Sequence, residues 1–397
     1  MSVPRRTALV LAGLILLSYN LRPAAVSVGP VLAEVRRGLG LSGPEAGLLT
    51  SLPVLAFAVF GALAPTFARR TGLHRATALS LVAVVLGLGG RAAVHDPTTF
   101  LGLSALALAG MATANVLIPS LVKLHFPDRI GRATAIYTTA LAIGLTSAFL
   151  LTVPVSHALG SWRAGLGVWS LTALVAVVPW IGLVAHDRQL ESGARSISFG
   201  DVARTRIGWA MALFFGLQSL QAYSIFGWFA QLWRDSGYSA EEAGLLVAVV
   251  AGVSIPLSLW LPAASARRAD QRTLILAVLS CYLAGYGLLL VDAHALAVPA
   301  ALLVGIGCCV FPVVLTLIGL RARTPDGTAA LSGFTQSLGY LIAAIGPFMI
   351  GTVYDATGRW TVPLWLLLVL VLPLLAVGAY AGRPAYLEDQ LGRTPAA

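Results

Sequence analysis

The chain has 397 residues, of which 58% are hydrophobic and only 11% charged, with a mean hydropathy of +0.86 and a formal net charge of +10. Soluble domains average roughly 45–50% apolar and about 25% charged residues, so this composition excludes an ordinary soluble enzyme, a disordered chain and a nucleic-acid binder, and points to a bilayer protein. Twelve helices of about 20 residues would take about 240 residues, which fits the length and leaves no room for a second, soluble domain.

Apolar runs bounded by charge, Pro or Gly clusters predict spans at 7–33, 45–68, 75–94, 99–121, 132–158, 164–185, 207–232, 241–263, 273–292, 295–320, 328–354 and 361–382. The first follows Arg5 and Arg6 and resembles a signal peptide. It continues for about 25 residues without a small-residue cleavage site, and so reads as a retained helix. Within it, Arg22 lies about fifteen residues in, close to mid-depth and too deep to snorkel. A charge there costs at least about 2.5–3.5 kcal/mol, so it needs a reason. Pro23 adds to the polarity, because a proline cannot return a hydrogen bond to the Tyr19 carbonyl, and Asn20 supplies an amide. Two readings stand for Arg22: a fixed cation facing an aqueous cavity, or a structural arginine bonded to carbonyls of a neighbouring helix.

Arg91 sits three or four residues from the end of the third span, where either snorkelling to the interface or a place on the substrate path accounts for it. The fourth span carries Asn115 and Pro119, and the fifth Tyr137, Thr138 and Thr139. The seventh holds Gln218, Gln221, Tyr223 and Trp228; the two glutamines are three apart and share a helix face. The eleventh holds Gln336 and Tyr340. Each amide could contact substrate or close an interhelical hydrogen bond, and each ring near a span end could belong to the interfacial belt.

Lys and Arg gather on alternate loops. Arg69, Arg70 and Arg75, then Lys123, Arg129 and Arg132, then Arg188, Arg195, Arg204 and Arg206 fall on the side of the N-terminus, whereas Arg36, Arg37, Arg163, Arg234 and Arg359 fall on the other. That bias predicts cytoplasmic N- and C-termini in the plasma membrane and an even number of spans. The longest hydrophilic stretch, His186 to Arg206, then divides the chain into a six-helix half at 1–186, a cytoplasmic linker at 187–206, and a second six-helix half with a short tail at 207–397. Cys281, Cys308 and Cys309 lie inside apolar runs with no disulfide or metal spacing, and the six histidines are scattered singly. No metal, cofactor or nucleic-acid partner is expected, and paired ligands for a membrane enzyme are missing. All 16 acidic residues fall in loops or near span ends, so the cavity should be net positive and should favour a small anion or a polar weak acid.

Several stretches resemble the major facilitator superfamily and, within it, the cyanate and nitroimidazole transporter family. They are Asn20-Leu21-Arg22-Pro23 continuing to Ser27-Val28-Gly29-Pro30, then Arg91, then Asn115 to Pro119 with Lys123 and Phe126-Pro127, and Gly131 through Tyr137-Thr138-Thr139. In the second half come Gln218-Ser219 with Tyr223 and Trp228, Phe311-Pro312, and Thr335 to Tyr340 followed by Gly346-Pro347. The resemblance implies an all-α integral membrane protein, with twelve helices in two pseudo-symmetric halves, that works as a monomer by alternating access on small polar or anionic solutes. The implied substrate contacts are Arg22, Asn20, Asn115, Tyr137, Gln218, Gln221, Tyr223, Trp228, Gln336, Tyr340 and Arg91. The alternative is efflux of drugs or hydrophobic metabolites, but residues 140–158 lack the Gly-Pro pair of drug and proton antiporters. A second departure is Arg69, which stands where the superfamily's loop between the second and third helices usually carries an acid, and so leaves a gating salt bridge without its carboxylate.

Overall fold

The computed structural model describes residues 3–41, 43–184 and 197–392, which are helical apart from short connections. The first half of the expected linker, 187–196, lies outside the described residues. Among the described residues, eleven helical stretches are long and apolar enough to cross a membrane. The remaining long helix, α9 (Arg206–Asp235), is less apolar because Gln218, Ser219, Gln221 and Ser224 interrupt it. On α7 (Trp162–Val184) the exposed large apolar residues are Leu171, Leu174, Val175, Val178 and Ile181, a stripe at helical spacing turned outward. Water would not tolerate that face; lipid does.

Residues cluster into two compact units. Unit 1 comprises Met1–Asp128, Ile136–Ser198 and Thr324–Gly333. It holds α1 (Val3–Val26), α2 (Leu32–Leu39), α3 (Gly43–Thr71), α4 (Leu73–Ala93), α5 (Pro97–His125), most of α6 (Ile130–Ala158), and α7. Its helices meet at small residues, as membrane packing favours. A methyl at Gly110 of α5 would collide with the Ser80 carbonyl of α4, and one at Gly144 of α6 with the Tyr19 carbonyl of α1.

The first span is shorter than expected. It ends at Val26 instead of continuing to residue 33, because Gly29 and Pro30 turn the chain into a 3-10 segment, Gly29–Val31, and then into α2. This places Arg22 one turn from the end of its helix, not halfway along. The short α2 is amphipathic: Val35 and Leu39 join Val28, Val31, Leu41, Leu49, Phe100 and Leu166 in a buried cluster, while Glu34, Arg36 and Arg37 stay exposed. Gly40, at φ 65°, ends it in the left-handed region.

The basic loop after α3 finds an acid. Arg69 lies 3.9 Å from Asp326, at the start of α15 (Pro325–Thr357), and donates to the Ile197 carbonyl at 3.1 Å, while the Ile197 N–H donates to Asp326 at 2.9 Å. The Ser120 hydroxyl donates to the Pro325 carbonyl at 3.0 Å. The carboxylate absent from the loop is thus supplied by residue 326.

Unit 2 comprises Arg129–Ala135, Phe199–Arg323 and Phe334–Ala397. It includes α8 (Phe199–Ala203), α9, α10 (Ala240–Gly252), α11 (Ser254–Ala266), α12 (Arg272–Val291), α13 (Ala297–Cys308), α14 (Val310–Leu320), most of α15, α16 (Thr361–Ala381) and α17 (Leu387–Gln390). The spans expected as unbroken at 241–263 and 295–320 are each divided, at Val253 and at Cys309. In both, the third residue of the following piece is a proline, Pro256 or Pro312, which withholds an N–H from the turn before it. The tail is tied down. The Leu387 N–H donates to the Arg321 carbonyl at 2.8 Å, Arg323 pairs with Asp389 at 2.8 Å, and Gln390 accepts from the Ile207 N–H at 3.1 Å. Hydrogen bonds from Arg323 hold the Asp389 carboxyl below its usual range.

Candidate functional site

In unit 1 the polar groups collect along α1 and the helices beside it. Asn20 is buried with both ends of its amide engaged: it donates to the Leu16 carbonyl at 2.8 Å and accepts from the Thr172 hydroxyl of α7 at 2.6 Å. It therefore fixes α1 against α7. Arg22, two residues on, points to a different face and is half-buried. Pro23 follows it, and the chain still closes its last turn with the Ser27 N–H on the Pro23 carbonyl at 3.2 Å. Ser27, fully buried, accepts from Nη2 of Arg91 at 2.9 Å.

Arg91 is 1% exposed, and its Nε has no hydrogen-bond partner. It stands in the last turn of α4, where a cation complements the helix dipole, and reaches the end of α1 five residues past Arg22. Snorkelling to an interface does not describe so buried a group. Asn115 lies within a continuous buried stretch of α5, Gly110 to Val122, and Tyr137 is 2% exposed on α6. Thus unit 1 brings two guanidinium groups to the same end of α1 and places an amide and a phenol on helices packed nearby.

Unit 2 supplies amides and rings. Gln221 is fully committed: its Nε2 donates to the Leu367 carbonyl of α16 at 2.8 Å and its Oε1 accepts from the Tyr286 hydroxyl of α12 at 2.6 Å. Gln218, although three residues away, is not equivalent. It donates to the Ser219 hydroxyl at 2.8 Å, and its Oε1 is buried with no partner. Trp228 donates to the Pro347 carbonyl at 2.8 Å and lies beside Tyr354 and Trp360, both bonded to Asp235, so it pins the end of α9 to α15. Gln336 and Tyr340 are both buried on α15, and Tyr223 is exposed on α9. The partners Thr172, Ser27, Tyr286 and Leu367 were not legible in the sequence, since a hydroxyl or a carbonyl in an apolar run carries no mark of the helix it will meet.

The chain is similar to known proteins over most of its length. The family model described as Major Facilitator Superfamily matches residues 9–347. The uncharacterized transporter YycB of Bacillus subtilis (strain 168) is 36% identical over 95% of this chain and 94% of its own length. The 2-nitroimidazole transporter of Escherichia coli (strain K12) is 32% identical over 94% and 95%, and the cyanate transport protein CynX of the same organism is 27% identical over 87% and 90%. In fold, the chain is similar to the crystal structure of the superfamily transporter FucP in the outward conformation, with a TM-score of 0.75 at 14% identity, covering 94% of this chain and 98% of that one.

Proposed function

The chain belongs to the Major Facilitator Superfamily, and from that premise we propose that this transporter carries a small anion or polar weak acid, cyanate-like or nitroimidazole-like, across the cytoplasmic membrane by alternating access. One observation carries the reading. Two guanidinium groups, Arg22 and Arg91, sit at one end of α1 within apolar helices of unit 1, while the acidic residues among the described residues keep to loops and helix ends. Arginine stays protonated at any working pH, so these side chains attract anions and repel cations. The solutes for which two of the relatives are named, 2-nitroimidazole and cyanate, belong to this class.

In this reading Arg22 supplies the charge and Asn115, Tyr137, Gln218, Gln336 and Tyr340 supply neutral hydrogen-bonding groups. Asn20, Gln221 and Trp228 support the helices that carry them. The termini and the loop after α3 face the cytoplasm, as the distribution of Lys and Arg supports. Residues 1–186 and 207–397 act as the two moving halves.

Uptake into proteoliposomes tests this. A hydrogen bond to a charged group contributes about 1.5–3 kcal/mol, so Arg22→Ala should lower kcat/KM for cyanate and for 2-nitroimidazole by roughly ten- to a hundredfold, with Arg22→Lys between the two. Near-normal uptake by Arg22→Ala would remove the anion reading.

A further inference from the structure

The end of unit 2 where α9 begins and α16 stops carries a groove of about 500 Å³. Its floor is apolar, built from Trp209 and Leu213 of α9 and Ala376 and Val377 of α16, and its rim holds Arg204, Arg206 and Tyr380. The rim is fixed in place. The Trp209 indole donates to the Ala203 carbonyl at 2.8 Å, and Thr205, buried between the two arginines, accepts from the Gly208 N–H at 3.1 Å. The turn that carries both guanidinium groups is thereby capped onto the start of α9.

The arginines themselves are left open. Arg204 and Arg206 are exposed, and among the described residues neither side chain has a hydrogen-bond or carboxylate partner. A third arginine, Arg383, stands 5.8 Å from the Tyr380 ring. Elsewhere at this end of unit 2 the cations are either paired, as Arg272 is with Asp270 at 2.6 Å, or exposed without a groove, as Arg267 and Arg268 are. No carboxylate lines the groove, so its rim attracts anions.

Below the rim the apolar floor continues along α16. Trp365, Val369 and Leu372 are 53%, 50% and 55% exposed, and with Ala376 they share one face at helical spacing. At about 1.5 Å per residue that stripe runs about 16 Å, close to half of a hydrocarbon core about 30 Å thick. A free phosphate would use the arginines and leave floor and stripe bare. A phospholipid uses all three. Trp209 and Tyr380 are also the residue types that settle at headgroup depth.

We propose that this groove is a seat for one anionic phospholipid, its phosphate between Arg204 and Arg206 and one acyl chain over Trp209 and along the α16 stripe. The bias of Lys and Arg puts the seat in the cytoplasmic leaflet, where anionic lipids are found.

Native mass spectrometry of the detergent-purified protein tests this, with phosphatidylglycerol and phosphatidylcholine of the same acyl chains as probes. The first phosphatidylglycerol should bind about tenfold more tightly than the first phosphatidylcholine, and Arg204→Gln with Arg206→Gln should remove roughly that advantage and leave phosphatidylcholine within about twofold. Arg267→Gln with Arg268→Gln takes the same charge from arginines outside the groove and should change neither lipid. Ala376→Phe fills the groove, keeps every charge and should weaken phosphatidylglycerol about threefold or more. Equal binding of the two lipids, equal loss in the two double variants, or wild-type affinity in the Arg204 and Arg206 variant overturns the proposal. So does wild-type affinity in Ala376→Phe, which would leave the floor unused, and so does displacement of phosphatidylglycerol by millimolar glycerol phosphate, which would mark a site for free phosphate esters. No transported solute is present, so the outcome is separate from the uptake test of the anion reading.

Discussion

A guanidinium that is 1% exposed, with a serine hydroxyl as its partner and a buried Nε left over, is costly to keep inside a protein. Stability alone does not account for Arg91. Its dipole contact at the end of α4 and its bond to Ser27 are worth about 1 kcal/mol each, less than the penalty of desolvating the ion. Replacing it by a methionine of similar length removes the charge and keeps the packing. Arg91→Met should therefore melt in detergent at or above the wild-type temperature while anion uptake falls at least tenfold. A lower melting temperature with uptake intact would make Arg91 a structural clamp on α1. The same residue shows where sequence reasoning stopped. The position of Arg91 in an apolar run, near a span end, was visible, and so was the cost of its charge. Its depth was not, because burial depended on where α1 ended and which hydroxyl waited there. The amides divide in the same way: Gln218 and Gln221 look alike in the sequence, and only the carbonyl of Leu367 and the hydroxyl of Tyr286 separate them.

Among the elements, hydrophobic runs located the helices well because a bilayer demands unbroken stretches of internally bonded backbone. What they blurred were the interruptions. Gly29-Pro30, Pro256 and Pro312 each sit in an apolar stretch that hydropathy alone reads as continuous, and at each the helix stops or divides. The sites where helices touch are also written in glycine, but only some glycines matter. Gly144 and Gly102 are both helical, yet a methyl at Gly144 would strike the Tyr19 carbonyl, and one at Gly102 meets nothing within 4 Å. The same substitution should therefore act with opposite sign. Gly102→Ala gains helix propensity of about 1 kcal/mol and should leave the melting temperature equal or higher. Gly144→Ala forces α6 off the backbone of α1, next to Asn20 and Arg22, at roughly 1–3 kcal/mol, and should lower both the melting temperature and anion uptake. Equal melting temperatures for the two variants would mean that α6 can move off α1 at no cost and that Gly144 does not set the crossing.

For the whole molecule, sequence resemblance marked Arg69 as a departure, because the position normally holds an acid and the gating bridge lacked its carboxylate. Within unit 1 Arg69 nevertheless faces an acid: the cation is at the end of α3 and the carboxylate, Asp326, at the start of α15, with Ile197 bonded to both. No local pattern joins positions so far apart in the chain, so only the fold could show the pairing. Both side chains are about one-fifth exposed, and their 3.9 Å separation is long for an ion pair, so the charge pair by itself contributes little. Most of the hold comes from Ile197, whose carbonyl takes a donor from Arg69 and whose N–H gives one to Asp326. Arg69→Asp would place two carboxylates together and remove the donor, and should lower the melting temperature by a few degrees and change the uptake rate at least threefold. Adding Asp326→Arg restores the opposite charges but presents a cation to the Ile197 N–H and an acid to its carbonyl. The double variant should therefore recover only part of the loss, and more of it at low salt than at high salt, since the restored part is ionic. Full recovery would show that charge alone closes the contact; a double variant worse than Arg69→Asp would show that the two side chains do not act on each other at all.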